Sequence, residues 1–345
     1  MTASPYTTLQ QGLATYQALT AERLHAYIPR TEPRRFLYDL VNDYPQRGGK
    51  GFRPGLCIAT CQALGGHLER VLNSAVALEL FHNAFLVHDD IEDESLLRRG
   101  RPTMHQSYGT GIAINVGDAM NVLSIRPLMD NLQTLGPNLT WRIFTQIEHM
   151  VRQTVEGQAL ELGWRRENSL DLTERDYLNM ILKKTCWYTC IHPMRIGALI
   201  ATGDDTDLER FNRLGYYLGA SFQIQDDLLN LVGDVERYGK EIGGDLVEGK
   251  RTLMLIYLLR DCSAAERKRL ETLLHPDRHV ADAELIHEIM GLMHKYGSIP
   301  EAQRAARQLA GAALNEFTRL FAGVAASPHR DFLQDFVLYM IQRNH

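Results

Sequence analysis

Long stretches with apolar residues at helical spacing alternate with short polar breaks along the chain, and this pattern predicts helices almost throughout. "NSAVALELFHNAFLVHDD" is apolar on nearly every face, with His82 and Asn83 interrupting its second half. A helix of that kind belongs in the middle of a bundle. "GIAINVGDAMNVLSIRPLM", "RIFTQIEHMVRQTVEGQALELGW", "RDYLNMILKKTCWYTC" and "ERFNRLGYYLGASFQIQDDLLNLVGD" also read as long helices, as do "AELIHEIMGLMHKYG" and "IPEAQRAARQLAGAALNEFTRLF". Loops are expected at "RGGKGFRPG", "LLRRGRPTMH", "RYGKEIGGDLVEGK" and "LLHPDRH", and Pro54 suits the first turn of a helix. Convincing strand alternation bounded by turn residues is lacking. No low-complexity linker or shift in composition divides the chain, so residues 1–345 are predicted to form one all-α domain.

The net charge of -5 argues against a nucleic-acid binder, which would show a basic surface. The opening "MTASPYTTLQQ" lacks the basic and apolar regions of a signal peptide. No run of about 18 consecutive apolar residues predicts a transmembrane helix. The 5 cysteines are scattered without zinc-finger spacing, and they read as reduced thiols in a cytoplasmic protein.

One stretch resists this bland description. "HDDIEDESLLRRG", from His88 to Gly100, crowds acidic residues between Asp89 and Glu94 and follows them with two arginines. A solvated helix end carries such charge as readily as a cation site does. Asp89 and Asp93, four apart, share a helix face with Cβ atoms about 5–6 Å apart. Hard oxygen ligands at that spacing suit Mg²⁺, which binds through one or two carboxylates plus phosphates. Asp90 points about 100° away and is the weaker candidate. The second acidic pair, Asp226 and Asp227 with Asn230 beyond it, is embedded in apolar helix. Burial there requires pairing or metal binding, so the solvated reading weakens.

Cations accompany both clusters in glycine-rich loops or at helix ends. "GGKGFRP" offers Lys50 and Arg53. Arg98 and Arg99 follow the first cluster, Lys240 and Lys250 bracket "EIGGDLVEG", and Lys184 with Thr185 adds a charge and a hydroxyl. Lysine and arginine bind phosphate as point charge and bidentate fork respectively.

These segments, in this order, resemble the motifs of the trans-isoprenyl diphosphate synthases, or polyprenyl synthetases. "GGKGFRP", "LFHNAFLVHDDIEDESLLRRGRPTMH", Lys184-Thr185, "GASFQIQDDLLN" and "GKEIGGDLVEGKRT" carry the resemblance over roughly residues 40 to 260. It implies an isoprenoid synthase bundle around a deep central cavity, commonly a homodimer. It also implies Mg²⁺ ions held by Asp89, Asp93 and Asp226. Catalysis would fall to those aspartates with Lys184 and Lys240. Arg98, Lys184, Thr185, Gln223 and Lys240, with Lys250 nearby, would bind an allylic diphosphate. Lys50, Arg53, His82 and Arg99 would bind isopentenyl diphosphate. The implied reaction is a condensation giving a short all-trans prenyl diphosphate. Product length would depend on Phe81, Ala84 and Phe85, favouring twenty carbons, with fifteen as the alternative. Two departures from the family pattern stand out: Gly51 where an arginine is usual, and Asn230 where an aspartate is common. A class I terpene cyclase and a non-catalytic synthase subunit are the competing readings. The first needs no second diphosphate site, and the second commonly lacks one aspartate motif.

Overall fold

The computed structural model describes residues 7–203, 206–233 and 242–342. Its long helices are α1 (Thr7–Tyr27), α2 (Phe52–Ala63), α3 (Leu68–Glu92), α4 (Thr110–Leu135), α5 (Pro137–Arg166), α6 (Glu174–Ile181) and α7 (His192–Thr202). They continue with α8 (Arg210–Val232), α9 (Leu253–Asp261), α10 (Ala264–Leu273), α11 (Asp282–Tyr296), α12 (Ser298–Leu320) and α13 (Pro328–Gln342). The all-α expectation holds. The one strand pair among the described residues joins β1 (Leu97–Arg98) to β2 (Arg101–Pro102), antiparallel. The turn between them has positive φ at Arg99 (55°) and Gly100 (71°). Two such residues in succession make the tight hairpin turn that matches strand twist. No apolar alternation announced this hairpin, because it is two residues deep and held largely by its arginines.

α3 packs along α4, and α8 packs against both α12 and the segment before α7. α9 is central in the second half of the chain: every side chain from Leu253 to Leu259 is buried. Its sequence "LMLIYLL" is apolar all round, which forces that position. Helix starts are locally encoded. The Thr173 hydroxyl caps the Asp176 N–H and the Asp176 carboxylate returns to the Thr173 N–H, and Ser263 and Glu266 repeat the box.

The run "RDYLNMILKKTCWYTC" departs from its expected α-helix. After α6 the chain continues as a π-helical segment, Leu182–Ile191, that leads directly into α7. Pro193, in the first turn of α7, has no N–H to return to Thr189, so the α ladder lacks a bond there. Wide helical turns of this kind concentrate at functional sites, and this one carries Lys184 and Thr185. α5 approaches it closely at Gly157, where a Cβ would stand 2.3 Å from the Lys184 backbone nitrogen.

Candidate active site

Helices α2, α3, α4, α5 and α8 and the π-helical segment surround a cavity of about 1610 Å³. One part of its wall is charged and another apolar. Lys50, Arg53, His82, Asp89, Arg98 and Arg99 line it, together with Lys184, Thr185, Gln223, Asp226 and Lys250. Lys240 lies outside the described residues.

The first acidic cluster is not a solvated face. Asp90 is wholly buried; it accepts hydrogen bonds from the Tyr44 hydroxyl at 2.6 Å and from Arg98 Nε at 2.8 Å. It therefore anchors the arginine that follows it. Asp89 faces the cavity, its side chain 25% exposed, with Lys184 at 3.4 Å and Arg98 at 3.5 Å. Asp93 caps α3, its N–H bonded to the Asp89 carbonyl at 2.8 Å, so the helical spacing persists. Its carboxylate does not line the cavity, contrary to the expected matched pair. It is buried behind Asp89 against Arg165 at 2.6 Å and Lys250 at 2.7 Å. The helix ends at that point, and cations from α5 and the loop before α9 reach the carboxylate from behind.

On α8, Asp226 lines the cavity, and Asp227 is buried beneath it. Asp227 accepts from the Tyr177 hydroxyl at 2.7 Å and from Gln223 Nε2 at 2.8 Å. Burial, with the Asp245 charge adding to it, raises its carboxyl well above the usual range. Gln223 also accepts the Thr185 hydroxyl at 2.8 Å, which fixes Thr185 and α8 in one network. Asn230 does not mirror Asp93 as a ligand. Its side-chain oxygen accepts the Asp245 N–H at 3.0 Å, and its carbonyl accepts the Gly243 N–H at 2.7 Å. It thereby anchors the loop that brings Asp245 to the cavity wall.

The lysines are held charged. Burial disfavours the Lys184 ammonium, but Glu161, which it contacts, and Asp89 outweigh that and hold it above the usual range. Lys250 is likewise raised, burial being overcome by Asp93, Glu248 at 2.6 Å and Asp245 at 3.5 Å.

A second group of cations lies around α2. Gly51, at the start of that helix, has φ +61°, a conformation that glycine adopts without strain. This accounts for glycine where the resemblance led one to expect arginine. Lys50 beside it donates to the Tyr339 hydroxyl at 3.2 Å. Arg53 donates to Thr189 Oγ1 at 2.8 Å and to His82 Nε2 at 3.2 Å, with its guanidinium 4.0 Å from the Tyr188 ring centroid. That assignment leaves His82 Nδ1–H to donate to the Tyr188 oxygen at 3.1 Å. Burial, followed by the Arg53 and Arg99 charges, pushes the His82 pKa well down, so the ring is neutral.

The apolar wall includes Phe81 and Phe85, stacked with centroids 6.4 Å apart, and Phe85 meets Tyr188 edge-on at 5.5 Å. Ala84 is elsewhere. It is fully buried on the other side of α3, among Leu80, Val87 and Met120, and so forms no part of the cavity floor. One residue along a helix turns the side chain by about 100°, which separates Ala84 from Phe85.

Sequence reading missed Asp245, Glu161, Arg165 and Tyr177. Asp245 had a signal, since it sits between the two lysines already singled out. The others are single residues in unremarkable helices, and only tertiary packing brings them to the site. Among the described residues, no three acidic, histidine or cysteine side chains converge to chelate an ion unaided. Carboxylates on two elements instead fit an ion that takes one or two of them and completes its shell with phosphate and water.

The polyprenyl synthetase family profile matches residues 34–293. A geranylgeranyl diphosphate synthase from Saccharolobus solfataricus is 36% identical over 70% of this chain and 73% of its own. The crystal structure of geranylgeranyl pyrophosphate synthetase from Pyrococcus horikoshii superposes with a TM-score of 0.87 at 28% identity, covering 99% of this chain and 100% of that one. A geranylgeranyl pyrophosphate synthase from Corynebacterium glutamicum, complexed with isoprenyl diphosphate and magnesium, gives a TM-score of 0.83 at 26% identity, covering 97% and 99%.

Proposed function

The chain belongs to the polyprenyl synthetase family, and from that premise we propose that it is a Mg²⁺-dependent trans-prenyltransferase that joins isopentenyl diphosphate to allylic diphosphates. The observation that carries this reading is the cavity itself. Carboxylates and two separate cation groups occupy one part of its wall, and stacked phenylalanines another. A terpene cyclase binds one diphosphate and has no use for the Lys50, Arg53 and His82 group. We read the whole chain as one domain; coverage of 99% of it by the Pyrococcus structure supports this.

Asp89 and Asp226 would hold the metal, with Asp93 joining them, and bound Mg²⁺ supplies positive charge to the departing diphosphate. Lys184, Thr185, Gln223 and Arg98 bind the allylic diphosphate, and Lys240 and Lys250 belong to the same group. Lys50, Arg53, His82 and Arg99 orient isopentenyl diphosphate. The allylic C–O bond breaks, and pyrophosphate leaves with the electron pair. The isopentenyl double bond attacks the allylic cation, and the proton then lost goes to pyrophosphate. Lys184 and Arg98 stabilise the charge growing on the leaving group, while Phe81, Phe85 and Tyr188 keep water from the cation.

Phe81 and Phe85 stop elongation at twenty carbons in this reading. A second copy of the chain covers the exposed apolar side chains of α4: Val122, Ile125, Met129 and Leu132 follow helical spacing, and Trp141 on α5 is 72% exposed. No helix of the described residues is long and apolar enough to cross a membrane, and we assign the enzyme to the cytoplasm. Incubating purified protein with Mg²⁺ and an allylic diphosphate, with and without isopentenyl diphosphate, tests the reading. Elongation that requires isopentenyl diphosphate supports it; a cyclic product formed without that substrate overturns it.

A further inference from the structure

Both oxygens of the Asp93 carboxylate lie within ion-pair distance of cations of the chain itself, Oδ1 with a hydrogen bond and Oδ2 without one. Arg165, in the last turn of α5, donates from Nη1 to Oδ1 at 2.6 Å. Lys250 Nζ stands 2.7 Å from Oδ2. The Asp93 side chain has no exposed surface, whereas that of Arg165 is 17% exposed. Asp89, one helical turn back, has Lys184 at 3.4 Å and Arg98 at 3.5 Å, but its side chain is 25% exposed and faces the cavity. The two carboxylates that the sequence presents as a pair thus differ in burial, Asp89 opening to the cavity and Asp93 closed off from it.

The two cations on Asp93 also differ. Lys250 has other acidic neighbours in Glu248 and Asp245. Among the described residues, Asp93 is the one acidic group within ion-pair distance of Arg165. The Arg165 charge lies close enough to the buried Arg251 to disfavour the charged form of that residue. Arg165 cannot shed its proton to make way for another cation. A divalent ion about 2.1 Å from the same carboxylate would therefore sit within a few ångströms of a fixed positive charge, in a place where little water screens the two.

We propose that Arg165 is a positioning residue that occupies Asp93 while the site is empty of metal and releases it when metal loads. The proposal rests on the prenyltransferase reading above. In this arrangement Asp89 and Asp226 receive the metal first, and Asp93 joins at the cost of its bond to Arg165. Arg165 thereby keeps the end of α3 folded in the unloaded enzyme and sets the metal concentration at which the site fills.

The test compares wild type with Arg165→Gln, which shortens the side chain and keeps a hydrogen-bond donor but removes the charge. Lys250 still pairs with Asp93 in this variant. Binding of Mn²⁺ alone is followed through loss of the free-ion EPR signal. The variant is expected to bind Mn²⁺ tighter by about fivefold or more, and its half-saturating Mg²⁺ for turnover should fall in parallel. Unchanged or weaker Mn²⁺ binding by a folded variant overturns the proposal, as a purely structural arginine would lower stability without tightening the metal. Wild-type turnover in the same preparation tests the prenyltransferase reading separately. A wild-type crystal structure with Mg²⁺ and inorganic pyrophosphate needs no variant. Arg165 withdrawn beyond hydrogen-bonding distance of Asp93 supports the proposal, and an intact bond overturns it.

Discussion

Lys184 Nζ lies 3.4 Å from Asp89 Oδ1, joining the π-helical segment to the end of α3 at the cavity wall. The contact ties a group assigned to diphosphate binding to one assigned to metal binding. Replacing Asp89 with Ala, or Asp226 with Ala, should lower turnover by about 10²–10³-fold or more while far-ultraviolet circular dichroism is unchanged. Near-normal steady-state rates in either variant would remove the metal assignment.

Gly157 is the feature that lets Lys184 reach this position. An added Cβ would lie 2.3 Å from the Lys184 backbone nitrogen, so the segment must shift. Gly157→Ala should destabilise the fold by about 1–3 kcal/mol, as overpacking does, and reduce turnover at temperatures where the protein is still folded. Denaturant melts and initial rates measured together check both parts. A variant with wild-type stability and rate would show that the close approach is unimportant.

Arg53 and His82 form a hydrogen-bonded unit with Thr189 and Tyr188, apart from the Lys184 group. Arg53→Ala should raise the KM for isopentenyl diphosphate selectively. Initial-rate matrices over both substrates provide the measurement. An equal rise for both, or for neither, contradicts two separate diphosphate sites.

Phe85 and Phe81 test the cavity floor. They lie about 6 and about 12 Å below Asp89 along the helix axis. Phe85→Ala should lengthen the product by at least one five-carbon unit, and Phe81→Ala in addition should lengthen it further. Products sized by chromatography decide this, and an unchanged product from an active double variant moves the floor to another element.

The buried histidines should cost stability in mild acid. His192 is buried against His149 at 2.9 Å, and burial, then the Arg195 charge, pushes its pKa well below 6.5. His82 is lowered too. A depressed histidine takes up a proton in the unfolded chain but not in the folded one. Stability is therefore fully present above about pH 6.5 and is lost as pH falls through that value. The raised Asp227 carboxyl contributes the opposite slope between about pH 5 and 7, so the histidine contribution is read as a difference: the thermal midpoint of His192→Asn should gain less, or lose more, than that of wild type as pH rises over this range. An identical pH dependence in the two proteins contradicts the assignment.

The helical fold was legible in the sequence because apolar spacing dictates both helix and burial, as "NSAVALELFHNAFLVHDD" in α3 illustrates. The cavity-facing aspartates were legible as well, since Asp89 and Asp226 lie in acidic clusters on apolar helices. Asp93 and Ala84 were not. Helical spacing puts Asp93 on the face of Asp89, but the helix ends there, and only the fold brings Arg165 and Lys250 behind it. Ala84 is one residue from a cavity-lining ring, and which neighbour a helix turns inward depends on its packing partners. The π-helical register of Lys184 and Thr185 was hidden because its composition is that of an ordinary buried helix.

The most direct measurement is the chain length of the product made by purified protein from isopentenyl diphosphate and dimethylallyl diphosphate with Mg²⁺. After dephosphorylation, chromatography should show geranylgeraniol as the main product, and Mg²⁺ chelation should abolish it. No elongation of any allylic diphosphate by an active-site-intact, folded preparation would contradict the account.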